Sequence, residues 1–207
     1  MLIGKGDEEA EKYREEAESL LKDDGVKALF LAYYYTVAQD AEKAKEPADR
    51  LVTLFPSEPE PRKLRAFIYG ALEDIPEDTL LNDLRLYTEW VKDDSLMAQY
   101  ELVVLYELAE YDSLFLEKCR MYMERYQDDT PALEYLAEYY DDMEMTVEAI
   151  ETYTTLIREK PSTAHFYYTR GFLLYDDGKK KEGCADLRKY LELGGDTDSR
   201  LIRSMCP

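Results

Sequence analysis

One histidine, three cysteines and a large excess of carboxylates are the residues of this chain whose chemistry could go beyond packing. Nucleophilic catalysis needs a hydroxyl or thiol beside a base, and a zincin helix needs two histidines on one face; His165 stands alone and supplies neither. It reads as an exposed residue near the start of a helix. Cys119, Cys184 and Cys206 lie far apart, are odd in number and lack Cys-x-x-Cys spacing, so neither a zinc knuckle nor a disulfide framework is indicated and reduced thiols are expected. Gly4-Lys5-Gly6 is too short for a phosphate loop, and Asp196-Thr197-Asp198 opens like a calcium loop but lacks its central glycine and closing glutamate. With 46 Asp and Glu against 26 Lys and Arg, paired carboxylates are too common to signal catalysis. The expectation is a non-enzyme without catalytic residues, cofactor or metal.

The formal charge of −20 sets the polyanions apart as partners, because nucleic acid and anionic membranes would both repel it across a Debye length of roughly 8 Å. A protein or peptide with basic residues is favoured, although most of the charge serves solubility. An apolar fraction of 45% with 19 tyrosines excludes a disordered acidic chain. The longest apolar stretch, Ala28 to Gln39, is too short to cross a bilayer, and Met1 to Asp7 contains no apolar signal core, so a cytoplasmic protein is expected.

Positioning comes from a repeat. Leu133, Leu136, Ala137, Tyr140, Ala149, Leu156 and Pro161 superimpose without a gap on Tyr167, Arg170, Gly171, Leu174, Gly183, Tyr190 and Gly195, an offset of 34 residues. The period, with small residues at its eighth and twentieth places, resembles the tetratricopeptide repeat (TPR), a pair of helices that stacks on its neighbours. The resemblance implies an all-α fold, an α-α superhelix (solenoid) of TPR-like hairpins forming one domain. Its expected parts are a leading helix over 7–24 as an N-terminal half-repeat, repeats over 25–58, 59–95, 96–129, 130–163 and 164–197, and a C-terminal capping helix over 198–207. Ala32 with Ala44, Ala137 with Ala149, and Gly171 with Gly183 are the small pairs expected where the helices cross. Tyr13 and Ala17 should pack the leading helix, and Leu201 with Ile202 the cap. Thr130 before Pro131 reads as a helix cap, the acidic doublets from Asp23-Asp24 to Asp176-Asp177 as turns, and Pro47 as either a kink or a first turn.

In TPR proteins the inner surface is built from the first helix of each hairpin. The resemblance therefore implies partner-binding roles for Leu29, Tyr33 and Val37 in the first repeat, Phe67 in the second, and Tyr100 and Val104 in the third, an apolar half. Glu134, Glu138 and Asp142 in the fourth and Tyr168, Phe172 and Tyr175 in the fifth make an acidic and aromatic half. The function implied is an adaptor binding a peptide or helix with apolar and basic residues. The carboxylate clamp that some TPR proteins use for acidic chaperone tails is not expected: only Lys63 fits it, and Tyr33 and Phe67 stand where asparagines belong. The alternative is a structural protein that self-associates as a homo-oligomer through the same wall or through the leading helix.

Overall fold

A computed structural model describes residues 8–108, 112–126 and 130–206. Among these, every regular element is a helix: α1 (Glu8–Leu20), α2 (Asp24–Val37), α3 (Ala41–Leu54), α4 (Pro59–Tyr69), α5 (Glu77–Trp90), α6 (Ser95–Glu107), α7 (Asp112–Arg125), α8 (Pro131–Asp142), α9 (Thr146–Glu159), α10 (Ala164–Asp176), α11 (Lys180–Glu192) and α12 (Ser199–Met205). They form two compact units, one ending at Glu101 and one beginning at Leu102. Met1 to Asp7 and the doublet Asp128-Asp129 lie outside the described residues.

The small residues do the work assigned to them. Ala32 and Ala44 in the first unit, and Ala137 and Ala149 in the second, are completely buried. Gly171 and Gly183 bring α10 and α11 closer still: a methyl group at Gly183 would lie 2.6 Å from the Gly171 carbonyl oxygen and 2.8 Å from the Tyr175 amide nitrogen. Three hairpins turn on the same place in the repeat, with Gln39, Glu144 and Gly178 at φ of 58°, 54° and 85°. Only Gly178 adopts this left-handed conformation without steric cost.

Several local expectations are corrected. Pro47 marks no boundary, since α3 begins at Ala41 and runs through it with the ring buried. Asp40, whose carboxylate accepts from the Lys43 amide, caps that helix instead. Thr130 precedes Pro131 as expected but makes no side-chain cap, because its hydroxyl donates to Glu134 at 3.1 Å. Asp141-Asp142 is no turn but the last turn of α8. On α1, Ala17 is half-buried while Tyr13 is 60% exposed; the helix is held to α2 by Lys27 pairing with Glu18 at 2.9 Å, and Arg14 bonds to Glu18 in turn.

Two hairpins carry an ion pair inside. Arg65 of α4 clasps Asp83 of α5 with Nε at 2.6 Å and a second nitrogen at 3.0 Å. Arg170 of α10 clasps Asp186 of α11 in the same fork at 2.7 and 2.8 Å. Asp83 is fully buried and also accepts from Arg62 at 2.8 Å, while Arg65 reaches on to Asp49 of α3 at 2.9 Å. Asp49 accepts the Tyr69 hydroxyl as well, and burial with this carboxylate pushes the phenol up to about 12.

At the C-terminal end Gly194 takes φ of 92° and closes α11, as the Gly194-Gly195 pair predicts. Ile202 of α12 is completely buried; Leu201 is half exposed and does not turn inward. Reduced thiols at Cys184 and Cys206 are a further correction: a disulfide joins them with Cα atoms 5.3 Å apart, closing 22 residues of chain. No spacing motif announces it, because the pair meets only when α12 folds back on the start of α11. Cys119 remains free and buried, and burial pushes its thiol up to about 12.

Candidate functional site

In the first unit the residues expected on the inner face lie on α2, on α4 and, for Tyr100, on α6, and most are open to solvent. Leu29, Tyr33, Val37 and Phe67 are 45 to 59% exposed, so α1 does not cover them. Val26, Leu29 and Tyr33 of α2, Phe55 at the end of α3, and Pro61 and Leu64 of α4 line a cleft of about 340 Å³. Asp23, Glu58 and Glu60 are its charged residues. Asp23 is half committed, since one carboxylate oxygen accepts from the Gly25 and Val26 amides and caps α2. Phe67 borders a second opening beside Thr36, Gln39 and Ala71, and its ring stacks on Tyr100 with centroids 5.6 Å apart.

Phe55 is the wall that the first-helix rule misses, because it belongs to the end of a second helix. Its ring fits over Gly25, where an added Cβ would lie 2.8 Å from it. A bulky residue immediately before Pro56, at a place the repeat leaves exposed, was the available signal. Lys63 is not free for a carboxylate clamp: it pairs with Asp94 at 2.6 Å, and Tyr87 donates to the same carboxylate oxygen at 2.9 Å. Together with burial, these bonds and the Met97 amide set Asp94, and the balance holds its carboxyl below the usual range.

In the second unit Val104 is buried at 7% exposure and offers no face to a partner. The carboxylates on α8 divide into two kinds. Glu134 accepts from Lys160 at 2.6 Å, and Asp142 accepts the Tyr106 hydroxyl at 2.6 Å, so both are tied into neighbouring helices. Glu138 and Asp141 are half-buried, and burial pushes both carboxyls above their ordinary values. The Asp142 charge raises both further, whereas His165 draws them back. Tyr168 donates to Asp198 at 2.6 Å, a bond that with burial pushes its phenol up to about 12, and its ring meets Phe172 edge-on at 4.9 Å. Tyr175 lies under Lys180 at 5.2 Å.

The raised Glu138 carboxyl carries a stability consequence with a definite sign. Because its folded value lies above its unfolded value, the native state binds the proton more tightly, and ionisation at neutral pH works against the fold. Glu138→Gln is expected to raise the melting temperature at pH 7. The gain should shrink as pH falls through the raised value and vanish below the ordinary glutamate range, which a series of melts between pH 3 and 8 checks.

No metal-holding group of histidine, cysteine and carboxylate side chains occurs among the described residues, and no helix there is long and apolar enough to cross a membrane. Small residues at the crossings, one turn conformation at equivalent places and helix pairs in tandem give the chain the tetratricopeptide-repeat fold. No family model and no curated protein matches the sequence. Solved structures do match in shape. A crystal structure of MamA superimposes with a TM-score of 0.70 at 16% identity, covering 84% of this chain and 93% of that one. MamA from Desulfovibrio magneticus RS-1 gives 0.67 at 16% identity, covering 83% and 96%. YrrB, described as a TPR protein with an unusual peptide-binding site, gives 0.67 at 17% identity, covering 92% and 96%.

Proposed function

We propose that the chain is a non-enzymatic protein-interaction scaffold whose α2–α4 face takes a peptide or helix carrying apolar anchors next to Lys or Arg. The observation that carries this reading is the cleft of about 340 Å³, whose wall holds exposed Val26, Leu29, Tyr33 and Phe55 and whose charged residues Asp23, Glu58 and Glu60 are all acidic. A folded chain that leaves such side chains together in water gains by covering them. The peptide-binding site of YrrB supports the same use of the fold. In the second unit, Glu138 and Asp141 are carboxylates whose desolvation cost, only partly offset by His165, a basic side chain would relieve.

The test is fluorescence anisotropy with labelled peptides that place leucine or phenylalanine beside arginine, against the same peptides with glutamate for arginine. Binding is expected to the basic set, weakening with salt, and Tyr33→Asp should lower it by roughly 30-fold with an unchanged melt. Equal binding by the Tyr33→Asp chain would remove the cleft from the mechanism. A second reading, self-association, is favoured by Tyr13 and Leu20, two turns apart on α1 and 60 and 73% exposed. Mass by light scattering that rises with concentration, and falls on Leu20→Asp, would select it.

A further inference from the structure

We infer that the Cys184–Cys206 disulfide is a redox latch that holds α12 against the aromatic end of the last hairpin, and that its reduction releases α12 and frees that aromatic surface. The inference rests on the interaction reading above for its use, but not for its chemistry.

α12 has seven residues, too few for a helix to persist by itself in water. Its hold on the rest of the unit is narrow. Ile202 is its one completely buried large side chain, Met205 is partly buried and Leu201 is half exposed. Asp198, at the N-terminal end, stands at φ of 50° and gives α12 no side-chain cap. Its carboxylate is engaged elsewhere, accepting the hydroxyl of Tyr168 on α10 at 2.6 Å. Just before it, the Thr197 amide donates to the Tyr190 hydroxyl at 2.9 Å. The remaining attachment is the covalent one, from Cys206 just beyond α12 to Cys184 near the start of α11.

What this arrangement covers is the aromatic surface expected to meet a partner. Ile202 and Cys206 close a buried cluster with Cys184, Leu187 and Tyr190, and Tyr168, Phe172 and Tyr175 pack against it. With the latch shut, Tyr168 is bonded to the chain's own Asp198 and these rings are only partly open. Opening is a two-electron exchange with a dithiol. One thiolate attacks a sulfur of the Cys184–Cys206 bond and forms a mixed disulfide, and the second thiol then displaces it. The dithiol leaves as a cyclic disulfide, and Cys184 and Cys206 each gain one of the two protons it gives up. The chain then keeps α12 through the packing of Ile202 and Met205 and through the two hydrogen bonds of Thr197 and Asp198 just before it.

The experiment compares the full chain oxidised, the full chain in dithiothreitol, and Cys206→Ser. Alkylation after denaturation without reductant should label one thiol, Cys119, in the oxidised chain; three labelled thiols after exposure to air would mean that the latch does not form and would overturn the inference. Hydrogen exchange of amides 197–206 should be roughly 100-fold faster in the reduced chain and in Cys206→Ser than in the oxidised chain. Fluorescence of the dye 8-anilinonaphthalene sulfonate should rise in parallel. Equal protection of α12 in all three samples overturns the latch, whatever the peptide measurements show. If α12 is released as expected while no peptide binds either redox form, the latch stands and the scaffold reading falls.

Discussion

Asp83→Ala is expected to destabilise the first unit by about 3–5 kcal/mol, which urea denaturation followed by circular dichroism would read directly. The carboxylate has no exposure and holds both ends of the Arg65 fork and one nitrogen of Arg62, whose side chains are only 13 and 12% exposed. Deleting it strands two guanidiniums out of reach of full hydration. Arg65 keeps a bond to Asp49 and Arg62 one to the Pro56 carbonyl, but the Arg62 Nε is already buried without a hydrogen-bond partner. Arg62→Met should therefore cost far less than Asp83→Ala. Replacing Arg62, Arg65 and Asp83 together by apolar residues of similar volume should recover most of the loss, because the fold tolerates an apolar contact there better than half an ion pair. A loss below about 1 kcal/mol for Asp83→Ala would mean that water reaches the arginines.

Gly183→Ala is expected to reverse the usual sign of its substitution. In an open helix, alanine gains about 1 kcal/mol over glycine. Here the methyl would meet the Gly171 carbonyl oxygen at 2.6 Å and the Tyr175 amide nitrogen at 2.8 Å, both backbone atoms of α10 that cannot rotate aside. The α10–α11 crossing would have to open, at a cost of about 3 kcal/mol seen as a lower melting temperature of the second unit. Gly171→Ala should cost less, since its tightest neighbours are atoms of the Leu187 side chain and its nearest backbone atom, the Gly183 carbonyl oxygen, lies farther off at 3.2 Å. A neutral Gly183→Ala would show that the crossing is looser than these contacts require.

These two residues also show where sequence reading succeeded and where it stopped. The step that aligns Gly171 and Gly183 with Ala137 and Ala149 is periodic, and periodicity survives in sequence because each hairpin must solve the same crossing. The Arg65–Asp83 pair is not periodic in that sense. Arg65 and Arg170 stand where Leu31, Leu102 and Leu136 stand in the other repeats, so an arginine in an apolar slot was visible. Its partner was not: Arg65 and Asp83 are 18 residues apart and Arg170 and Asp186 are 16, because the turn before α5 is longer. Pro47 misled because propensity argues for a boundary, whereas burial inside α3 prevails. The acidic surface was legible as composition only. Which carboxylates are spoken for depends on packing within and between hairpins, which ties Glu134 to Lys160 in its own hairpin and Asp142 to Tyr106 of the preceding one. For the disulfide, 22 residues of separation carried no motif at all.

The apolar cleft has no single owner. Val26, Leu29 and Tyr33 come from one helix, Phe55 from the end of the next, and Pro61 and Leu64 from the start of the hairpin that follows. Recognition is thus written at a seam between modules rather than within one. Exchanging a single hairpin for another of the same register would keep every crossing intact yet rewrite half of the pocket, so new specificities could arise by shuffling whole units without any residue in the helix crossings having to change.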